Sequence, residues 1–154
     1  MVKYCGYYIT FQEVPNEIAL TLTITNCPHR CPGCHSPWLQ QDFGDELTKD
    51  ILLELLDKYQ GVFTCVCFMG DGNDYVALRS LIQFVRSLGI KTCLYTGGSR
   101  NDVELYDFPD YFKEGPYVAK LGGLDSPQTN QRMWKKEEDG KYHDITSWFW
   151  RKKD

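Results

Sequence analysis

Cys27-Pro28-His29-Arg30-Cys31-Pro32-Gly33-Cys34-His35 is the stretch on which the reading of this chain turns. It sets three cysteines at spacing C-x3-C-x2-C directly after the run Ile18 to Thr25. In that run Ile18, Leu20, Leu22 and Ile24 alternate with Ala19, Thr21, Thr23 and Thr25, the period-2 pattern of a β-strand. Pro28, Pro32, Gly33 and Pro37 keep the cysteine segment irregular, as a loop wrapped round a bound group requires. Cysteine thiolates are the usual ligands of iron–sulfur clusters, commonly four to a cluster. A set of three leaves one iron with an open position, and an open position is the mark of a catalytic metal. Zinc is the competing reading, with Cys27, Cys31, Cys34 and His35 as a Cys3His set. Adjacent Cys34 and His35 fit one tetrahedral ion poorly, and the chain has no second CxxC or HxxxH pair of the kind structural zinc sites combine. The spacing favours the cluster.

Composition sets the frame. At 154 residues, 42% of them apolar, the chain is long enough to bury a core as one domain. A formal net charge of −4 argues against general affinity for nucleic acid or an anionic membrane. Arg151 to Lys153 read as a short solvated tail. No run approaches the roughly 18 apolar residues of a membrane span. The seven cysteines are an odd number, and Met1-Val2-Lys3-Tyr4-Cys5 opens without an apolar leader. Reduced thiols in the cytoplasm, available to metal, are the expectation.

Other elements can be placed in chain order. Residues 4–13, rich in aromatics and β-formers, predict an N-terminal strand. Thr48 caps a helix whose apolar face is Leu47, Ile51, Leu52, Leu55, Leu56 and Tyr59, ended by Gly61. Val62 to Met69 predict a strand, Asp74 to Leu88 a helix stopped by Gly89, and Ile90 to Tyr95 another strand. A poorer helical stretch covers Asp102 to Lys113, broken by Pro109, and Tyr117 to Leu121 predict a fourth strand before Gly122-Gly123. Asp139-Gly140 marks a hairpin between Met133–Glu138 and Lys141–Ile145, with Trp148, Phe149 and Trp150 folding back on the body.

Alternation of strands and helices predicts an α/β fold with a parallel sheet, whose ligands bind beyond the carboxyl ends of the strands. A complete eightfold barrel takes at least about 200 residues, so the expectation is an open partial (β/α) barrel with a C-terminal β-hairpin extension. One domain spans 1–154: strand 4–13, core 18–123 and extension 124–154. The cysteine segment, Gly70-Asp71-Gly72, Thr96-Gly97-Gly98 and Gly122-Gly123 should then gather at one edge. At the Gly70-Asp71-Gly72 turn, glycine lets a ligand approach the backbone, whose carbonyls accept from an ammonium group, and Asp71 or Asp74 can add charge. Cys5, Cys65, Cys67 and Cys93 read as small buried hydrophobes, and His143 as an ordinary hairpin residue.

Cys27-x3-Cys31-x2-Cys34 after a first strand, with a Gly/Asp turn after the second, resembles the radical S-adenosylmethionine superfamily. Within it, Cys31-Pro32-Gly33-Cys34-His35-Ser36-Pro37 is similar to the activating proteins of anaerobic ribonucleotide reductase. Gly33, where most of the superfamily has an aromatic residue, marks this subgroup. Tyr95-Thr96-Gly97, Gly115-Pro116-Tyr117-Val118 and Asn130-Gln131-Arg132 match its later pattern, so the resemblance covers about Tyr4 to Thr146. It implies a 4Fe–4S cluster on Cys27, Cys31 and Cys34, with S-adenosylmethionine chelating the fourth iron. Gly33, Cys34 and His35 would line the adenosyl moiety and Gly70, Asp71 and Gly72 the methionyl amine. Reductive cleavage would give a 5′-deoxyadenosyl radical that takes a hydrogen from a glycine of the reductase large subunit. No side chain is then itself catalytic, and a flavodoxin- or ferredoxin-type donor supplies the electron. One departure stands out: the family has Gly-Gly-Asp or Gly-Gly-Glu where this chain has Gly70-Asp71-Gly72-Asn73-Asp74. The other readings are a different small radical enzyme of the superfamily, such as another glycyl radical activase or a deazapurine synthase; an electron carrier, which needs a fourth cysteine; and a zinc-binding module.

Overall fold

The alternating run after Ile18 does form a strand, and it lies inside the sheet, with every residue of Ala19–Ile24 buried. The computed structural model describes residues 1–25, 41–70, 72, 74–96 and 109–150. Its strands are β1 (Lys3–Thr10), β2 (Ala19–Ile24), β3 (Asp45–Glu46), β4 (Cys65–Met69), β5 (Lys91–Tyr95), β6 (Tyr111–Glu114), β7 (Arg132–Lys136) and β8 (Tyr142–Asp144). They make one sheet in the order β3-β1-β2-β4-β5-β6-β7-β8. β2, β4, β5 and β6 run parallel at its centre. The pairings on both flanks are antiparallel. The α/β class and the C-terminal hairpin agree with expectation, but the sheet is mixed: hairpins, not further parallel strands, finish both sides.

Two helices lie among the described residues, α1 (Lys49–Lys58) and α2 (Tyr75–Ser87). Thr48 caps α1 as its residue type predicts, its Oγ1 accepting from the Ile51 N–H at 3.2 Å. Asp74 caps α2, accepting from the Ala77 N–H at 3.1 Å. The parallel register sets Leu22, Phe68, Leu94 and Phe112 in one cross-sheet row. That face packs on Leu52, Leu55 and Leu56 of α1 and Leu78, Leu81, Ile82 and Val85 of α2. The opposite face carries Ala19, Cys65, Cys67, Cys93, Tyr111 and Met133, covered by Val14, Leu124, Ile145, Trp148 and Phe149. The aromatic end therefore does fold back, as a 3-10 turn over Thr146–Trp150, with Trp150 Nε1 donating to Leu124 O at 2.8 Å.

Several boundaries differ from expectation for identifiable reasons. The first strand stops at Thr10, because the chain then turns to bury Val14 and closes with Glu17 N–H donating to Val14 O at 3.1 Å. The strand expected from Val62 begins at Cys65, since the Val62 N–H still donates to Tyr59 O in the turn after α1. Of the helix expected over 102–113, residues 102–108 lie outside the described residues and Tyr111–Glu114 is strand β6. Pro109 has no N–H for a helix to use, and the four residues from Tyr111 alternate between faces. Tyr117 to Leu121 form no strand, only an isolated bridge between Val118 and Gly122. β7 already occupies the edge of β6, so no place remains there. The two-residue β3 has no signal in its sequence.

At the amino-terminal edge, Glu17 is only 8% exposed and is met by Lys91 Nζ at 3.1 and 3.2 Å and by the Tyr111 hydroxyl at 2.8 Å. Burial alone would raise its carboxyl, but hydrogen bonds from Thr64, Tyr111 and Lys91 and the Lys91 charge outweigh it and hold the group below its usual 4.5. A depressed carboxylate stabilises the fold above its ordinary titration range, and that contribution is lost as pH falls through the lower folded value. Glu17→Gln should accordingly lower Tm at neutral pH, with the gap to the parent protein closing as pH falls below the usual 4.5 and through the lower folded value. A gap that stayed constant across that range would show that the charge at Glu17 contributes nothing.

Candidate functional site

The cross-sheet row Thr23, Met69, Tyr95, Lys113 brings the carboxyl ends of the four parallel strands level. Backbone bonds carry the alignment one residue further: Gly70 N–H donates to Tyr95 O at 3.0 Å and Thr96 N–H to Lys113 O at 2.9 Å. A sheet of this kind binds ligands just beyond such an edge. Here β2 ends at Ile24, and Thr25 stands two residues before Cys27. Thr25 is fully buried and held twice, its N–H donating to Lys3 O at 3.0 Å and its hydroxyl to Phe43 O at 2.5 Å. The chain thus leaves the sheet at Thr25 and is bonded back to the same place at Phe43, with the three cysteines between.

The glycine turn lies against this point. Gly70 has φ +118°, and a β-carbon there would stand 3.2 Å from Ile24 O. Gly72 has φ +62°, with its would-be β-carbon 3.2 Å from Ile24 Cγ2 and 3.7 Å from Thr25 O. Both positions are in the left-handed region, so glycine is required twice over, by conformation and by close approach. Gly70 and Gly72 therefore rest on Ile24 and Thr25, the last described residues before the cysteine segment.

Cys27, Cys31, Gly33, Cys34 and His35, and with them Asp71, Gly97 and Gly98, lie outside the described residues. Gly70, Gly72 and Thr96 are at the expected edge. Gly122-Gly123 do not end a parallel strand; Gly115 does, directly after β6. Asp74 is committed elsewhere: besides capping α2, its carboxylate bonds to the Met1 amino group. That bond first, then the Ala77 N–H, holds its carboxyl below the ordinary value.

Cys65, Cys67 and Cys93 are fully buried on the face away from the helices, as small apolar side chains are. Burial first, then the neighbouring thiols, pushes Cys65 and Cys93 up, so neither is a ready thiolate. Cys5 departs from the expected burial: it is exposed on β1, where the pairing register slips between Tyr4 and Gly6. His143 is the surface hairpin residue expected, 3.1 Å from Asp139 Oδ2. Burial and the neighbouring Cys93 likewise raise Tyr95, whose hydroxyl stays protonated and donates to Glu13 O.

Two residues without a role in the sequence reading complete the edge over β6 and β7. Lys113 Nζ donates to Thr96 O at 3.2 Å and Gly115 O at 3.1 Å, and lies 5.8 Å above the Tyr95 ring. Gln131 is 6% exposed, and its Nε2 donates to the same Gly115 O at 3.4 Å. Asn130 Nδ2 donates to Pro116 O at 3.1 Å. Gly115-Pro116 and Asn130-Gln131, separate motifs in the sequence, are thus bonded to each other. Lys113 is hidden in the sequence because its stretch reads as helix; in a strand, Lys113 falls on the face of Tyr95. No protein-family model matches the chain, and no curated protein matches it. Among the described residues no helix is long and apolar enough to cross a membrane.

Proposed function

We propose that the chain is a radical S-adenosylmethionine activase that generates a glycyl radical on anaerobic ribonucleotide reductase. The observation that supports this reading is the Thr25–Phe43 bond, whose two residues flank the C-x3-C-x2-C stretch in sequence, at the carboxyl end of β2, with Gly70 and Gly72 against Ile24 and Thr25. In this reading the four parallel strands are the core of an open partial (β/α) barrel. Cys27, Cys31 and Cys34 hold a 4Fe–4S cluster, Gly33, Cys34 and His35 border the adenosyl group, and Gly70, Asp71 and Gly72 receive the methionyl amine.

The donor set fits such a group. Three thiolates suit a cluster with one open iron, and Gly70 and Gly72 let the neighbouring turn close against Ile24 and Thr25. The bound groups supply one-electron cleavage of a sulfonium, and the protein's share is placement and exclusion of water. Thr25 and Phe43 fix where the cysteine segment begins and ends. Tyr95 and Met69 lie half-buried beneath the edge and floor it. The electron comes from a flavodoxin- or ferredoxin-type donor, and the reductase presents its glycine to the open edge.

Anaerobic reconstitution with iron and sulfide, then reduction with S-adenosylmethionine present, tests the proposal. Methionine and 5′-deoxyadenosine should form, and adding the reductase should give a glycyl radical doublet by electron spin resonance. A colourless protein binding one zinc would overturn the reading; cleavage without a doublet would move it to another substrate in the superfamily.

A further inference from the structure

The cysteine segment departs from β2 and the glycine turn from β4, so the cluster and the methionyl group are anchored at that side of the edge. β6 is three strands from β2, about 14 Å at ordinary strand spacing. Its end, with the start of the antiparallel β7, therefore forms the far wall, which faces the other reactant. The uncharged polar groups on this wall are the Gln131 and Asn130 amides and the Gly115 and Pro116 carbonyls, with Lys113 Nζ bonded to Gly115 O and the Glu114–Arg132 pair beside them. Gly115 and Gly123 add no side chain to it.

Gln131 is the pointed feature. It is more than nine-tenths buried, and Nε2 must face Gly115 O because only that end of the amide donates. Its Oε1 accepts no hydrogen bond among the described residues. A β-carbon on Gly123 would stand 3.8 Å from this oxygen and 3.7 Å from Asp125 Oδ1, so the glycine leaves two acceptor oxygens, one of them a carboxylate's, beside the same space. Although the residue is largely enclosed, this oxygen is not among the fully buried orphan polar atoms, so it is an oriented acceptor that a ligand N–H can reach. Lys113 shares Gly115 O with Gln131 and so fixes the carbonyl on which the amide is oriented.

Resting on the activase reading, we propose that Gln131 is a main-chain reader for the partner's glycine-bearing segment, its Oε1 accepting a peptide N–H, with Lys113 as a positioning residue. An amide is the complement of a peptide group, and a segment built around glycine offers main chain, not side chains, to be read.

The test compares Gln131→Met, close to glutamine in shape, with the parent in the reconstituted protein. The KM for the reductase should rise at least about tenfold more than the KM for S-adenosylmethionine. Lys113→Arg, which keeps a donor to Gly115 O, should keep that ratio near the parent's, whereas Lys113→Met should raise it. In parallel, capped tetraglycine is titrated into isotope-labelled protein. The Gly123 amide signal should shift in the parent and not in Gln131→Met, a readout independent of turnover and of whether the variant is active. Equal rises in both KM values, or no shift at Gly123 in the parent, would overturn the assignment. A parent that shifts with tetraglycine but cleaves no S-adenosylmethionine would instead sink the activase reading and leave the peptide subsite standing.

Discussion

Alanine at Cys27, Cys31 or Cys34, the ligands of the proposed cluster, should remove its absorption and take the proposed cleavage of S-adenosylmethionine below detection, each change alone being sufficient. The set has no spare member. A cluster held by three thiolates and reduced to two loses the geometry that keeps its fourth iron open, and a ligand loss is not shared out as a packing loss is. The contrast is Cys65→Ala. Cys65 is as fully buried as any residue in the protein, but its neighbours are Ala19, Cys67 and Cys93 within an apolar cluster. Removing its sulfur leaves a small void, costing about 1 kcal/mol of stability with iron content unchanged. Iron and sulfide analysis beside product assay separates the two classes. Cluster loss in Cys65→Ala, or retention in any of the three others, would mean that the ligands are wrongly assigned.

The contrast between these cysteines also marks how far the sequence could be read. Ile18 to Thr25, Thr48 and Asp139-Gly140 are local signals, complete within a few residues, and the structure agrees with each. The Gly70–Gly72 turn is legible as a turn, but its requirement for glycine is not local: it comes from Ile24 and Thr25, some 45 residues earlier. Residues 111–114 mislead because Tyr-Phe-Lys-Glu has no strong preference of its own and takes strand geometry from its neighbour β5. Reading that strand as helix deprives Lys113 of its face and the site of its far wall. Tyr117 to Leu121 err the other way, a β-rich run with no free edge to join. Edge competition among β6, β7 and this run is a property of the assembled sheet, not of any segment.

Gly44→Ala should be the most damaging single methyl addition among the described glycines. Its φ is +95°, and a β-carbon would stand 2.4 Å from Tyr4 O and 2.9 Å from the Tyr4 carbonyl carbon. Those are backbone atoms of β1, which cannot swing aside as a side chain would. Tyr4 pairs with Asp45 and Lys3 with Glu46 in the next step of the same ladder. Relief of the clash must open that pairing, and it pulls Phe43 away from the Thr25 hydroxyl that closes the cysteine segment. The left-handed backbone costs an alanine about 1 kcal/mol by itself, and the collision brings the total to about 3 kcal/mol or more. For a domain of this size that is a fall in Tm of about 6 °C or more. Gly61→Ala is the control that isolates the cause. Gly61 also has a left-handed φ, +84°, but a β-carbon there meets nothing within 4 Å, so only the conformational cost remains. Equal losses in the two variants would show that the approach of Tyr4 is not what demands glycine at 44. A larger loss at Gly44, with iron uptake falling alongside Tm, is the expected result. It would tie the strand pair β1–β3, which bears none of the three cysteines proposed as ligands, to the shape of the segment that does.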